Sequence, residues 1–134
     1  MTIRMGHCNA HQEFRRDLLP IPSSVPLGRD LAEVHLNKWG LAALADDTTL
    51  IVSELLTNAL AAGQGMITLT LTLSGGVLTI EVADIGSGRP RRRRARKDDV
   101  NGRGLQIVEY LAESWGHRST LNGGKVVWAR CLIS

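Results

Sequence analysis

Between residues 66 and 73 the chain alternates without a break, with Ile67, Leu69, Leu71 and Leu73 apolar and Thr68, Thr70 and Thr72 polar. A period of two over that length predicts a half-buried strand. The alternation resumes over 77–83 with Leu78, Ile80 and Val82, and the intervening Ser74, Gly75 and Gly76 predict a hairpin, so the two strands are expected to be antiparallel neighbours. Elsewhere the spacing is helical. Over 26–39, Leu27, Leu31 and Val34 recur on one side against Arg29, Asp30, Glu33 and Lys38 on the other, which predicts an amphipathic surface helix stopped near Gly40. From Asp46 or Asp47, as a cap, to about Ala62 the apolar residues run nearly all round, so a second helix should be mostly buried against a sheet. A third helix is expected over 105–115, with Leu105, Val108, Leu111 and Ala112 on one face and Gly116 at its stop. Short strands are expected over 13–19, 117–121 and 125–132, the last two joined through Asn122, Gly123 and Gly124.

Residues 1–12 show neither period and read as a flexible N-terminal tail before one domain over 13–134. The stretch 84–104 combines glycines with a basic run and carries no apolar periodicity; about twenty residues without an element mark a functional lid or a disordered loop. The order of elements suits an α+β fold, a two-layer α/β sandwich with a mixed, mostly antiparallel sheet and about three helices on one face.

The chain has 134 residues, 43% hydrophobic and 22% charged, which excludes collagen-like, coiled-coil and wholly disordered classes and leaves room for one core. No apolar run is long enough to span a bilayer and residues 1–12 hold no apolar signal segment, so a cytoplasmic protein is expected, as is no membrane partner. The net charge of +3 comes from one place: Arg89, Arg91–Arg94, Arg96 and Lys97 fall together, and the remainder of the chain is net acidic. That run lacks interleaved aromatics, which makes a nucleic-acid platform the weaker reading of it. The tryptophans Trp39, Trp115 and Trp128 read as core.

Glu54 and Asn58 are one helical turn apart and project from the same stripe of an otherwise apolar helix. A carboxylate beside an amide oxygen can orient an attacking hydroxyl and hold a hard cation, though a locally hydrogen-bonded polar pair has the same spacing. Asp84 follows a strand and precedes Gly86 and Gly88, where glycines admit close approach of backbone to a flat ligand and a carboxylate can accept from an exocyclic amino group; a plain turn has the same composition. Asn101, Gly102, Arg103 and Gly104 lead straight into a helix, an arrangement suited to phosphate. Neither glycine cluster fits the dinucleotide fingerprint or the P-loop.

Four segments in order, residues 53–60 (SELLTNAL), 82–90 (VADIGSGRP), 102–115 (GRGLQIVEYLAESW) and 123–128 (GGKVVW), resemble the boxes of the Bergerat-fold ATP-binding superfamily. Trp39-Gly40-Leu41, Ala45-Asp46-Asp47 and the Gly124–Trp128 ending are similar to its small single-domain branch, the anti-sigma-factor serine kinases and stand-alone regulatory ATP-binding proteins of actinomycetes. The resemblance implies a Mg²⁺·ATP-binding regulatory protein in which Asn58 coordinates Mg²⁺ and Glu54 is the catalytic base. It assigns Asp84 to the adenine amino group, Gly86 and Gly88 to the base pocket, residues 85–103 to the ATP lid, and Gly102, Arg103, Gly104 and Leu105 to the phosphates. It further implies a serine/threonine protein kinase acting on an anti-anti-sigma partner in transcription regulation, with a sigma factor as a second partner and homodimerisation open. The alternative is a catalytically silent, nucleotide-dependent protein-binding module. Three departures stand out: Ala61, Ala62 and Gly63 occupy a site where many relatives carry a basic residue or histidine; Val126 stands where threonine is frequent, which is expected to remove a hydroxyl from the base pocket; and the lid is unusually rich in arginine, open to phosphate, an acidic partner surface or neither.

Overall fold

The computed structural model describes residues 11–62, 65–85, 103–121 and 123–133. Its sheet is five-stranded and wholly antiparallel: β1 (Gln12–Leu18), β2 (Ile67–Ser74), β3 (Val77–Asp84), β4 (Ser114–Ser119) and β5 (Lys125–Leu132), in spatial order β1-β2-β3-β5-β4. The helices are α1 (Ser24–Lys38), α2 (Ala45–Ala62) and α3 (Arg103–Leu111), with a 3-10 turn at Ala42–Leu44. This is the expected α+β sandwich, and where a mixed, mostly antiparallel sheet is expected every pairing among the described residues is antiparallel. The predicted tail of residues 1–12 gives up Gln12, which pairs with Leu73 in the first ladder position of β1.

Alternation places Leu69 and Leu71 of β2, Leu78, Ile80 and Val82 of β3, and Val127 and Ala129 of β5 on one face. Against them lie Ile51, Val52, Leu55 and Leu56 of α2, with Leu105 and Val108 of α3 and Ala32 and Leu36 of α1 completing the core. The hairpin between β2 and β3 turns through Gly75 and Gly76, both at positive φ (60° and 78°), the two-residue turn whose twist matches the strands it joins.

Three local expectations are corrected. The buried row of α1 is Ser24, Gly28, Ala32 and Leu36, whereas Leu27 and Val34 are exposed. Small residues win because α1 lies close on α2: a Cβ at Gly28 would run into Leu56 Cδ1. Asp46 and Asp47 do not cap α2; the 3-10 turn feeds directly into Ala45, so both acids sit in the first turn, where they complement the helix dipole. Finally, α3 ends at Leu111, four residues before the expected last helical residue, Trp115, and Ser114–Gly116 pair with Arg130, Ala129 and Trp128 as strand β4. The last apolar residues of that segment, Ala112 and Trp115, are compatible with either element, and cross-strand pairing decides.

Gly116 is therefore not a helix stop but a gap: a Cβ there would lie 2.6 Å from Trp128 Cζ2. Trp128, expected in the core, instead shares the opposite sheet face with Glu81 and Thr70, and the Arg130 guanidinium stacks 5.0 Å from its ring centre. Trp39 and Trp115 do pack on the core.

Candidate functional site

Asp84 ends β3 on the helix-facing side and is 6% exposed. It is the only Asp or Glu among the described residues that is buried, and burial of a carboxylate is costly enough to mark a built environment. Its ladder partners are Ile67 at the start of β2 and Lys125 at the start of β5, and the next residue, Ile85, donates its N–H to the Met66 carbonyl at 3.4 Å.

The two helices that flank this sheet end are oriented by what happens at the other. There, a cleft of about 230 Å³ is lined by Asp47 and Thr48 from the start of α2, Leu111 at the end of α3, Glu113 just beyond it, and Cys131 near the end of β5. Glu113 also donates its N–H to the Arg130 carbonyl at 2.8 Å. With the start of α2 and the end of α3 held at the Cys131 end, the second half of α2 and the first turn of α3 are carried towards the Asp84 end. The C-terminal half of α2, beginning at Glu54 and carrying Asn58, and the opening of α3 thus run towards the end of the sheet where Asp84 lies. In the cleft at the far end, burial pushes the Cys131 thiol up from its ordinary range, and the Asp47 carboxylate adds to the shift.

Glu54 and Asn58 are both half-buried on the flank of α2, between the buried row of Ile51, Leu55 and Ala59 and the exposed row of Leu50, Thr57 and Ala61. The Oδ1 atom of Asn58 is out of contact with solvent. Arg103 and Gly104 already belong to α3, so the helix opens inside the range expected for the lid. Leu105 is packed in the core, which leaves its backbone N–H, not its side chain, for a ligand at the helix start. Gly86, Gly88 and Gly102, with most of the expected lid and Ala62 and Gly63, lie outside the described residues or side chains. Among the described residues no three His, Cys, Asp or Glu side chains converge as a metal cluster, and no helix is long and apolar enough to cross a membrane.

Register corrects the reading of Val126. It pairs with Ala83, one step from the Asp84–Lys125 pair, so its side chain stands on the opposite sheet face from Asp84. The β5 residue paired with Asp84, on the same face, is Lys125. Sequence reasoning assigned Lys125 no role, and it also missed Gly124, which is buried against the Asp84 peptide. The signal was present in principle, since counting back along β5 from the inward-facing Val127 gives the face of each residue.

A family model described as histidine kinase-like ATPase domain matches residues 20–131, a span that runs from before α1 to Cys131 in β5 and includes every site residue named above. No curated protein matches the chain.

Proposed function

The chain belongs to the histidine kinase-like ATPase domain family and binds ATP, and from that premise we propose that it is a regulatory serine kinase of the anti-sigma-factor type. The observation that carries the reading is the buried carboxylate of Asp84 at a strand end, and a carboxylate–amide pair on one flank of α2 and the start of α3 supply the further groups the reading uses. Each has chemistry suited to one part of ATP. Asp84 accepts a hydrogen bond from the adenine amino group in a site shielded from water, where such a bond counts for most. The first turn of α3, at Arg103, Gly104 and Leu105, presents unpaired N–H groups and the positive end of the helix dipole to the phosphates, continuing from Gly102. Gly86 and Gly88 complete the base pocket.

Mg²⁺ fits the donor set, because a hard cation takes oxygen ligands and keeps waters and phosphate oxygens, so the amide oxygen of Asn58 is a sufficient protein ligand; bound there, it would neutralise phosphate charge. Glu54, one turn earlier on α2, accepts the proton of the attacking seryl hydroxyl. The hydroxyl oxygen takes the γ-phosphoryl group and ADP leaves, with positioning supplying most of the rate. The partner is an anti-anti-sigma-type protein, on the strength of the segments that resemble that branch. One of these segments has a different explanation in the structure. Trp39-Gly40-Leu41 ends α1: Gly40 sits at φ 78°, its N–H donates to the Asn37 carbonyl at 3.2 Å, and the Leu41 N–H donates to the Leu36 carbonyl at 2.8 Å.

The test incubates the protein with Mg²⁺·ATP and small anti-anti-sigma-type proteins from the same genome and reads serine phosphorylation by mass spectrometry. Transfer by the wild type, its loss in Glu54→Ala and retained ATP binding by that variant are expected. ATP binding without transfer to any of these proteins would replace the kinase with the nucleotide-dependent binding module.

A further inference from the structure

Gly124 is buried at the entry to β5, and what surrounds it is backbone. A Cβ placed there would overlap the carbonyl oxygen of Asp84 and lie 2.8 Å from the carbonyl carbon of Ile85 and 3.0 Å from that of Asp84. Backbone cannot rotate aside as a side-chain tip can. Nor is the Asp84–Ile85 peptide free to retreat, because on its other edge Ile85 is tied to Met66 of the segment entering β2. Gly124 is itself held. Its N–H donates to Thr120 Oγ1 at 3.1 Å, its carbonyl accepts from the Thr120 N–H at 3.0 Å, and the Gly123 N–H donates to the Thr120 carbonyl at 3.3 Å. Thr120 thus clamps the β4–β5 connection through both its side chain and its backbone, and the clamp seats Gly124, which has no side chain, on the peptide that carries Asp84.

We infer that Gly124, held by Thr120, is a positioning residue that sets the height of the Asp84 carboxylate in the nucleotide site, and so sets preference for a base with a 6-amino group. The inference rests on the assignment of Asp84 to the adenine amino group. A hydrogen bond from that group tolerates only a few tenths of an ångström in donor–acceptor distance. Any side chain at 124 must lift the Asp84 peptide or peel the start of β5 from β3, and either displaces the carboxylate. Gly124 makes no contact with the nucleotide in this account. Its effect passes through one peptide group.

The experiment compares the affinities of the full chain for Mg²⁺·ATP and Mg²⁺·purine riboside triphosphate, which differs only in lacking the 6-amino group. The ratio of the two dissociation constants isolates the Asp84 bond, whereas a general loosening of the domain weakens both nucleotides alike. Wild type is expected to prefer ATP on the order of tenfold. In Gly124→Ala the ratio should fall towards one, and in the Asp84→Ala background the same change should leave the ratio where it is. Thr120→Val keeps the strand preference and the volume but removes the acceptor for the Gly124 N–H; it should lower the ratio part of the way, and it stands as the test if Gly124→Ala does not fold. A folded Gly124→Ala with the wild-type ratio, or an unchanged ratio in Thr120→Val when only that variant folds, overturns the inference. A wild type that binds both nucleotides equally instead removes the Asp84 assignment on which the inference rests.

Discussion

Asp84 and Cys131 are both buried on the inner sheet face, at opposite ends of paired strands. For the Cys131 thiol, burial favours the neutral form, with Asp47 adding to the effect. Cys131 should therefore alkylate slowly in the folded protein. It should also contribute a pH dependence of known sign. Because its folded pKa lies above the unfolded value, the native state binds more protons once the unfolded thiol begins to ionise, and stability is lost as pH rises through and beyond the ordinary thiol range. Urea denaturation of wild type and Cys131→Ala across that range is expected to show a steeper alkaline decline in the wild type. Parallel curves would mean that the thiol titrates alike in both states.

At the scale of elements, helix ends and faces depend on neighbours that lie far away in sequence. The termination of α1 is an exception, since its device is local: Gly40 at positive φ closes the two hydrogen bonds that satisfy the last carbonyls. Gly40→Ala should cost about 1 kcal/mol in chemical denaturation, because a Cβ is strained in that conformation even though open space surrounds it. The end of α3 shows the reverse. Nothing within 105–115 distinguishes a helix reaching Trp115 from one stopping at Leu111; the pairing of Ser114–Ser119 with Lys125–Arg130 takes those residues for the sheet. The buried face of α1 departs from the periodic one for a related reason. Leu27 and Val34 carry the stronger hydrophobic signal, but Gly28 and Ala32 are what allow α1 to approach Leu56 and Val52.

For the whole molecule, the relevant quantity is the linkage between nucleotide binding and folding. With Mg²⁺·ATP at about 100 times its dissociation constant, the folded state should gain roughly 2.7 kcal/mol. That appears as an upward shift in melting temperature in the wild type, and Asp84→Ala should show little or none of it at the same concentration. An equal shift in both proteins would place the base elsewhere. The same arrangement separates the ends of the sheet, so a change in the Cys131 cleft, such as Cys131→Ala, is expected to leave the ATP-induced shift intact.

The amino-acid sequence by itself determined the type of most strands and helices, the hairpin through Gly75 and Gly76, the place of Glu54 and Asn58 one turn apart on α2 and that of Asp84 at a strand end, because each follows from a period or a backbone requirement read over a few consecutive residues. Family membership was legible too, since the four segments keep their order and spacing. Tertiary structure alone decided the rest. Which face of α1 is buried, that Trp128 lies on the outer face, that Val126 faces away from Asp84 while Lys125 shares its side, and that Gly124 touches the Asp84 peptide all depend on strand register and interhelical distance. Those quantities are set by contacts between residues tens of positions apart, and a slip of one residue in pairing reverses every assignment of face.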